Sequence, residues 1–398
     1  MKKRISAILL AALMVASLIP MSGLAAGGYI KINDTQYNTF EDAMDVNCYV
    51  GGSEAVTVEV YGSVTLSHGI AFTAKDITIK GMTSDAEIVL EDNADDNNYS
   101  NPYEATQRPT GFSVPDSANY AAEPGSVIKI QDLKLVNHKN LSRYGSGHSW
   151  RTAYYTYAGA ENVTYTNVDF DGGVSVTDHV SFVDCTFTEN RSQMYCVFID
   201  QEYSSIGEDY SATFEGCEFN PGTGAYGGVK AANKDGSMTL EVEDCVFTSV
   251  PNKPAINADT NMVTTIKNTV FMDCDKGAYD CDSGTLNNAQ YDEAKVEEAI
   301  TTAGGKVYAD VVDLTPAYAG PVMNWVKVNA ADNGVVKSGP LAASAGATVT
   351  LYPKAAEGYV LDTVEVLDAE GNAVVLDGLK FAIPAGGVTV NATFKLAD

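Results

Sequence analysis

The chain has 398 residues, 52 of them acidic against 25 lysines and arginines, for a formal charge of −27 at pH 7. A surface of that sign repels phosphate backbones and anionic lipid, so no nucleic-acid partner is expected, while the length allows two domains. Seven cysteines are an odd number, and their spacing lacks the tight pattern of a disulfide framework.

Lys2, Lys3 and Arg4 precede an apolar run from Ile5 to Ile19, followed by small residues ending near Ala25 or Ala26. This pattern predicts a secretory signal peptide over 1–26 and a mature protein released outside the cytoplasm. No later segment reaches the ~18 unbroken apolar residues of a membrane span. The cleavage region offers no cysteine for a lipid, and "NATFKLAD" at the C-terminus is no wall-sorting tail. Any attachment to a cell surface would therefore be non-covalent or through a partner.

A first domain is expected over 27–318. Within it, "TFEDAMDVN" at 39–47 begins with Thr39 and carries acids in its first turn, which predicts a short capping helix over one open end of the core. The stretches 56–82 and 86–90 alternate apolar and polar residues, as half-buried strands do. The acidic run "EDNADDNN" at 91–98 lacks the glycine and closing glutamate of a calcium loop, so it reads as solvated. Calcium suits carboxylates in general, but no motif supports a cofactor or a metal site.

The centre of the chain repeats one phrase. "FVDCTF" at 182–187 returns as "FEGCEF" at 214–219 and "VEDCVF" at 242–247. Alignment on the turn residue brings Asp132, Asn167, Asp184, Gly216, Asp244 and Asn268 into one column. Apolar or small residues stand four and two positions before it and one and three positions after it. The inward phase slips by one residue at the column, which predicts two short strands joined by a bend. Asp, Asn and Gly are the types that tolerate left-handed backbone angles there. The intervals of 35, 17, 32, 28 and 24 residues combine a constant strand pair with loops of changing length. That is a solenoid of stacked coils.

In this register Cys185, Cys217 and Cys245 form an inward ladder of small apolar groups, and the phenylalanines at 170, 187, 219, 247 and 271 form a companion stack. The turn acids cannot be general acids or bases as a set, because Asn and Gly replace them at equivalent positions. Cys48, Cys196, Cys274 and Cys281 have no assignable pairing.

The longest excursion, "SRYGSGHSWRTAYYTYAG" at 142–159, supplies the candidate ligand-binding residues His148, Trp150, Arg151, Tyr154 and Tyr155. Aromatic faces beside an arginine suit a sugar ring or a peptide edge, although Tyr155 and Tyr157 can equally pack inward as strand residues. Lys230, with Asn257 and Asp200, is placed on an outward strand face that would extend the same groove. Further on, 291–305 has helical spacing and a glycine stop, which predicts a helix at the other end of the solenoid. From Trp325 the chain changes to short strands joined by Gly, Asn and Asp turns, and a small β-rich domain is expected over 322–398.

Two resemblances attach to these residues. The segment "INDTQYNTFEDAM", the strands that follow it and the "FVDCTF" and "VEDCVF" rows resemble pectate-lyase-like modules of exported bacterial surface proteins. The fold implied is all-β, a right-handed parallel β-helix solenoid. "GATVTLYPKAAEGYVLDTVEVLDAEGNAV" with "FAIPAGGVTVNATF" is similar to the divergent internalin-type B-repeat, which implies a spacer or attachment module.

The function expected is that of a secreted, non-catalytic surface or adhesion protein presenting loops to an extracellular glycan or protein. The alternative is a polysaccharide lyase or glycoside hydrolase working along the strand face near Trp150 and Lys230. Enzymes of the pectate-lyase type would need an Arg or Lys base beside a calcium-binding carboxylate cluster, or a carboxylate pair across the scissile bond. Neither appears as a motif, and no catalytic residue is assigned.

Overall fold

A computed structural model describes residues within 27–397. Outside the described residues lie 1–26, 91–111, 114–126, 138–153, 157–161, 201–209, 282–305, 314–322 and several shorter loop stretches. The expected signal peptide, most of the aromatic excursion and the helix expected at 291–305 fall there.

The repeated phrase is the rung of a parallel β-helix. Ile128, Val163, Val180, Ala212, Leu240 and Thr264 face one another on successive parallel strands, and so do Ile130, Tyr165, Phe182, Phe214, Val242 and Ile266. After the bend, Leu135, Phe170, Phe187, Phe219, Phe247 and Phe271 form a third column. The 17-residue interval between Asn167 and Asp184 holds the same register as the longer ones.

The bend has the expected backbone. Asp132, Asn167, Asp184, Gly216 and Asp244 sit at φ of +57°, +52°, +54°, +64° and +52°. This left-handed twist moves the inward phase by one residue, so Asn162–Asp171 buries Val163 and Tyr165 before the bend and Val168 and Phe170 after it. Asn268 lies outside the described residues.

Stacking follows from the register. The ring pairs Tyr165–Phe182 and Phe182–Phe214 lie 4.9 and 4.8 Å apart and nearly parallel. Phe170, Phe187, Phe219, Phe247 and Phe271 make the parallel stack beside them, with T-shaped contacts between the two columns. Removing each such ring from water contributes about 1.5 to 3 kcal/mol. The Cys185, Cys217 and Cys245 thiols are free and buried, and each donates to backbone carbonyls: Cys185 to Tyr165, Cys217 to Phe182, Cys245 to Phe214. They fill space between rungs.

At the near end of the solenoid the described part of 39–47 carries a short 3-10 turn, Glu41–Ala43, with Thr39 Oγ1 accepting from the Asp42 N–H at 3.1 Å, and 44–47 lie outside the described residues. The edge is covered by Tyr29–Ile32, which runs antiparallel to Ala55–Tyr61 and is itself flanked antiparallel by Thr35–Tyr37. An antiparallel strand satisfies edge N–H and C=O groups that a helix could only cover. On a second face, Val311–Asp313 likewise runs antiparallel to Tyr279–Cys281.

Residues 323–396 form separate sheets around their own apolar cluster, which includes Val326, Val349, Leu351, Val366, Phe381 and Val390. Met323–Val328 lies between Ala342–Ser344 and Val388–Leu396, and the last pairs with Tyr359–Asp368. Gly334–Gly339, Thr348–Ala355 and Lys380–Ala382 make the second sheet.

Candidate functional site

The second long face of the solenoid is the sheet ordered Tyr154–Thr156, Val174–Val176, Tyr195–Asp200, Gly227–Ala232, Ile256–Ala258 and Tyr279–Cys281. Its inward residues Val197, Ile199, Val229, Ala231, Ile256 and Ala258 are fully buried. The residues between them make one register column: Tyr155, Ser175, Phe198, Lys230, Asn257 and Asp280. Phe198 and Lys230 are partly exposed, whereas Asn257 is 4% exposed and accepts a hydrogen bond from Lys230 Nζ at 2.7 Å. Stacked strands place Phe198 and Asn257 about 10 Å apart along the face.

A group of rings and a second cation flank this column. Tyr195 pairs in register with Gly227, and its ring lies over the glycine: a Cβ there would stand 2.9 Å from Tyr195 Cε1 and 2.7 Å from the Pro254 carbonyl oxygen. A side chain at 227 would crowd both the ring and that carbonyl oxygen. Tyr226 meets Tyr195 edge to face at 5.8 Å, and Lys253 Nζ stands 5.9 Å from the centre of the Tyr226 ring. Asn252 sets this geometry by donating through Nδ2 to the Ala225 and Thr223 carbonyls at 2.7 and 3.0 Å, which ties the loop carrying Lys253 to the one carrying Tyr226.

Tyr195, Phe198 and Tyr226 offer ring surface for the C–H face of a sugar or an apolar side chain. Lys230 and Lys253 bring positive charge to one face of a strongly acidic chain, and Lys230 is held as a donor by the Asn257 amide. The arrangement offers ring faces and ammonium donors to a ligand.

Of the residues expected from sequence, Lys230 and Asn257 sit opposite each other on neighbouring strands of this sheet. Tyr155 shares their register column and Tyr154 adjoins it on the same strand; only the backbone of these two is described. His148, Trp150 and Arg151 lie outside the described residues. Tyr195, Phe198, Tyr226 and Lys253 were not anticipated. The signals that could have found them are the alternation in "YCVFID", which turns Phe198 outward, and the paired glycines directly after Tyr226.

Two other constellations carry structure. His179 Nδ1 and Ser211 Oγ share a hydrogen bond of 2.9 Å, but they face each other in register on neighbouring rungs, as do Ser181 and Thr213 at 2.8 Å. Both contacts belong to a ladder that ties rungs along the outer surface. Burial pushes the Cys185, Cys196 and Cys217 thiols well above the usual range, the opposite of a reactive or metal-binding cysteine. Among the described residues, no group of three or more His, Cys, Asp or Glu is placed to hold a metal ion, and no helix is long and apolar enough to cross a membrane.

Residues 324–398 match the family model of the divergent InlB B-repeat domain. No curated protein matches the chain. Among solved structures, the enzymatically active domain of tailspike protein 4 of Bacteriophage CBA120 is similar at 10% identity and a TM-score of 0.27, over 90% of this chain and 61% of that one. The chain thus spans about three fifths of that structure's length.

Proposed function

We propose that this chain is an exported, non-catalytic β-helix protein that offers the face around Phe198, Lys230 and Asn257 to an extracellular glycan, with its B-repeat-like tail as an attachment module. The observation that carries this reading is the pair Phe198 and Lys230 in one register column, with Tyr195, Tyr226 and Lys253 clustered where the same strands begin. Rings take the apolar face of a pyranose, and the two ammonium groups take hydroxyls or carboxylates on its rim. The N-terminal pattern of basic, apolar and small residues supports export, and the family match over 324–398 supports the reading of the tail.

The test is a binding screen of the mature chain against neutral and acidic polysaccharides, with unsaturated-product and reducing-end assays run alongside. Binding without turnover is expected. Tyr226→Ala and Lys253→Ala should each weaken it about three- to tenfold, with the melting temperature kept, because each removes contacts of about 0.7 to 1.4 kcal/mol. Absence of binding across the panel would overturn the proposal, as would turnover that vanishes in Lys230→Ala.

A further inference from the structure

The turn column of the solenoid is covered on its outer side. Tyr352 Oη donates to Asp184 Oδ2. Lys354 Nζ donates to the Asp132 carbonyl at 2.5 Å, and Lys337 Nζ pairs with Asp169 at 2.5 Å. Gly339 lies directly on the Asp184 carboxylate, with no space for a Cβ, and Pro340 Cβ lies 3.4 Å from where a side chain of Gly216 would begin.

The partners come from one small patch of the tail. Lys337 and Tyr352 face each other across the antiparallel pair Gly334–Gly339 and Thr348–Ala355, with Val335 opposite Lys354 and Gly339 opposite Thr350. They meet four successive rungs in order: Lys354 at the rung of Asp132, Lys337 at that of Asn167, Tyr352 and Gly339 at that of Asp184, and Pro340 at that of Gly216. Cationic and hydroxyl donors from the tail thus meet acceptors on the column, and a bare glycine on each side permits close approach.

We propose that the turn column is a built docking surface for the chain's own B-repeat-like tail, which is latched against the solenoid instead of trailing from it as a spacer. The turn acids then have two roles: Asp132 and Asp184 set the bend, and their outward side receives the tail.

The latch responds to acid. Tyr352, Lys337 and Lys380 of the tail and Glu215 of the next rung surround Asp184, and burial pushes its carboxyl up to about 6 from an ordinary 3.8, against the pull of the Tyr352 hydrogen bond and the lysines. Burial also raises the Tyr352 hydroxyl, with Asp184 and Asp132 adding to it. Lys354, near Asp132, Asp169, Asp85 and Lys337, is lowered by burial and acts on the alkaline side. A docked carboxyl with a raised pKa takes up a proton more readily than a released one. Docking therefore tightens as pH falls through 6 toward 4 and bears the full cost of a buried carboxylate above 6.

Zero-length carbodiimide crosslinking of the full mature chain tests this, with peptides read by mass spectrometry on a mixture of ¹⁴N- and ¹⁵N-labelled protein. The Lys134–Asp171 pair within the solenoid, 2.7 Å apart, is the internal reference and cancels the reagent's own pH dependence. A Lys337–Asp169 crosslink within single-isotope chains is expected. Its ratio to the reference should rise from pH 7.5 to 5, and should fall in Tyr352→Ala and in Lys354→Glu, each of which weakens the docking equilibrium about tenfold or more, the loss expected for a hydrogen bond to a charged group. Asp184→Asn, which keeps the left-handed bend and removes the charge, should abolish the pH dependence. Mixed-isotope crosslinks only would assign the surface to a second copy's tail and overturn the proposal. A ratio indifferent to both tail variants would also overturn it.

Discussion

Replacing Phe219 by alanine removes a ring from the middle of the aromatic column. Phe219 stacks on Phe187 at 4.7 Å and on Phe247 at 4.2 Å, and meets Phe214 edge to face at 5.5 Å. The ring is fully buried. Truncating such a side chain costs about 3 to 5 kcal/mol, transfer and cavity together. The upper half of that range applies, because the ladder of backbone hydrogen bonds holds adjacent rungs about 4.8 Å apart and prevents collapse into the hole. Phe271 is the control: among the described residues it stacks only on Phe247, so Phe271→Ala should cost less. Urea unfolding followed by circular dichroism measures both, with midpoints compared at equal slope. At about 2 to 4 °C per kcal/mol, the melting temperature should fall by roughly 8 to 20 °C in Phe219→Ala, with glycan binding retained below the transition. An unchanged midpoint, or a larger loss in Phe271→Ala, would refute the claim that the rings are stacked mortar.

Asp244→Val should destabilise by about 1 to 2 kcal/mol while Asp244→Gly is nearly neutral, because a β-branched residue is strained at φ +52° and glycine is not; equal denaturation midpoints for the two would contradict this. The Cys185, Cys196, Cys217 and Cys245 thiols should resist an aromatic disulfide reagent at pH 8 in the native chain and react together on unfolding in urea. Prompt native labelling of any of the four, mapped by mass spectrometry, would contradict their burial.

The solenoid was legible because its determinants are local and repeated. A two-residue period marks each half of a rung, and a Gly, Asn or Asp marks the bend, since only these types tolerate the left-handed angle. Alignment on that single position predicted the pairing of Ile128, Val163, Val180, Ala212, Leu240 and Thr264 that the structure shows. It also told that Cys185, Cys217 and Cys245 face inward. At the near end, Thr39 and the acids after it signal the short 3-10 turn Glu41–Ala43, while the antiparallel pairing of Tyr29–Ile32 on the sheet edge has no comparable signal in the sequence, because it joins residues about 30 positions apart.

The binding face was only partly legible. Lys230 and Asn257 could be placed from strand phase, since the strands Tyr195–Asp200, Gly227–Ala232 and Ile256–Ala258 begin 11, 11 and 12 residues after Asp184, Gly216 and Asp244, whereas Tyr195, Tyr226 and Lys253 stand 11, 10 and 9 residues after them. No fixed offset brings Tyr195, Tyr226 and Lys253 together. Their meeting depends on a ring seated over Gly227 and on a loop held by Asn252, contacts between residues some 30 positions apart. The docking of the tail lies further still from any sequence pattern: Asp132, Asp184 and Gly216 were chosen by backbone angle, a local property, while Tyr352 and Lys354 reach them from more than 100 residues away. What the amino-acid order determined by itself was the coil, because each rung repeats the same bend and inward stripe, so that its backbone and side chains fall in register with the next rung. What only the tertiary structure decided was which outward side chains become neighbours, because that depends on how separate coils and a separate module come to rest against one another.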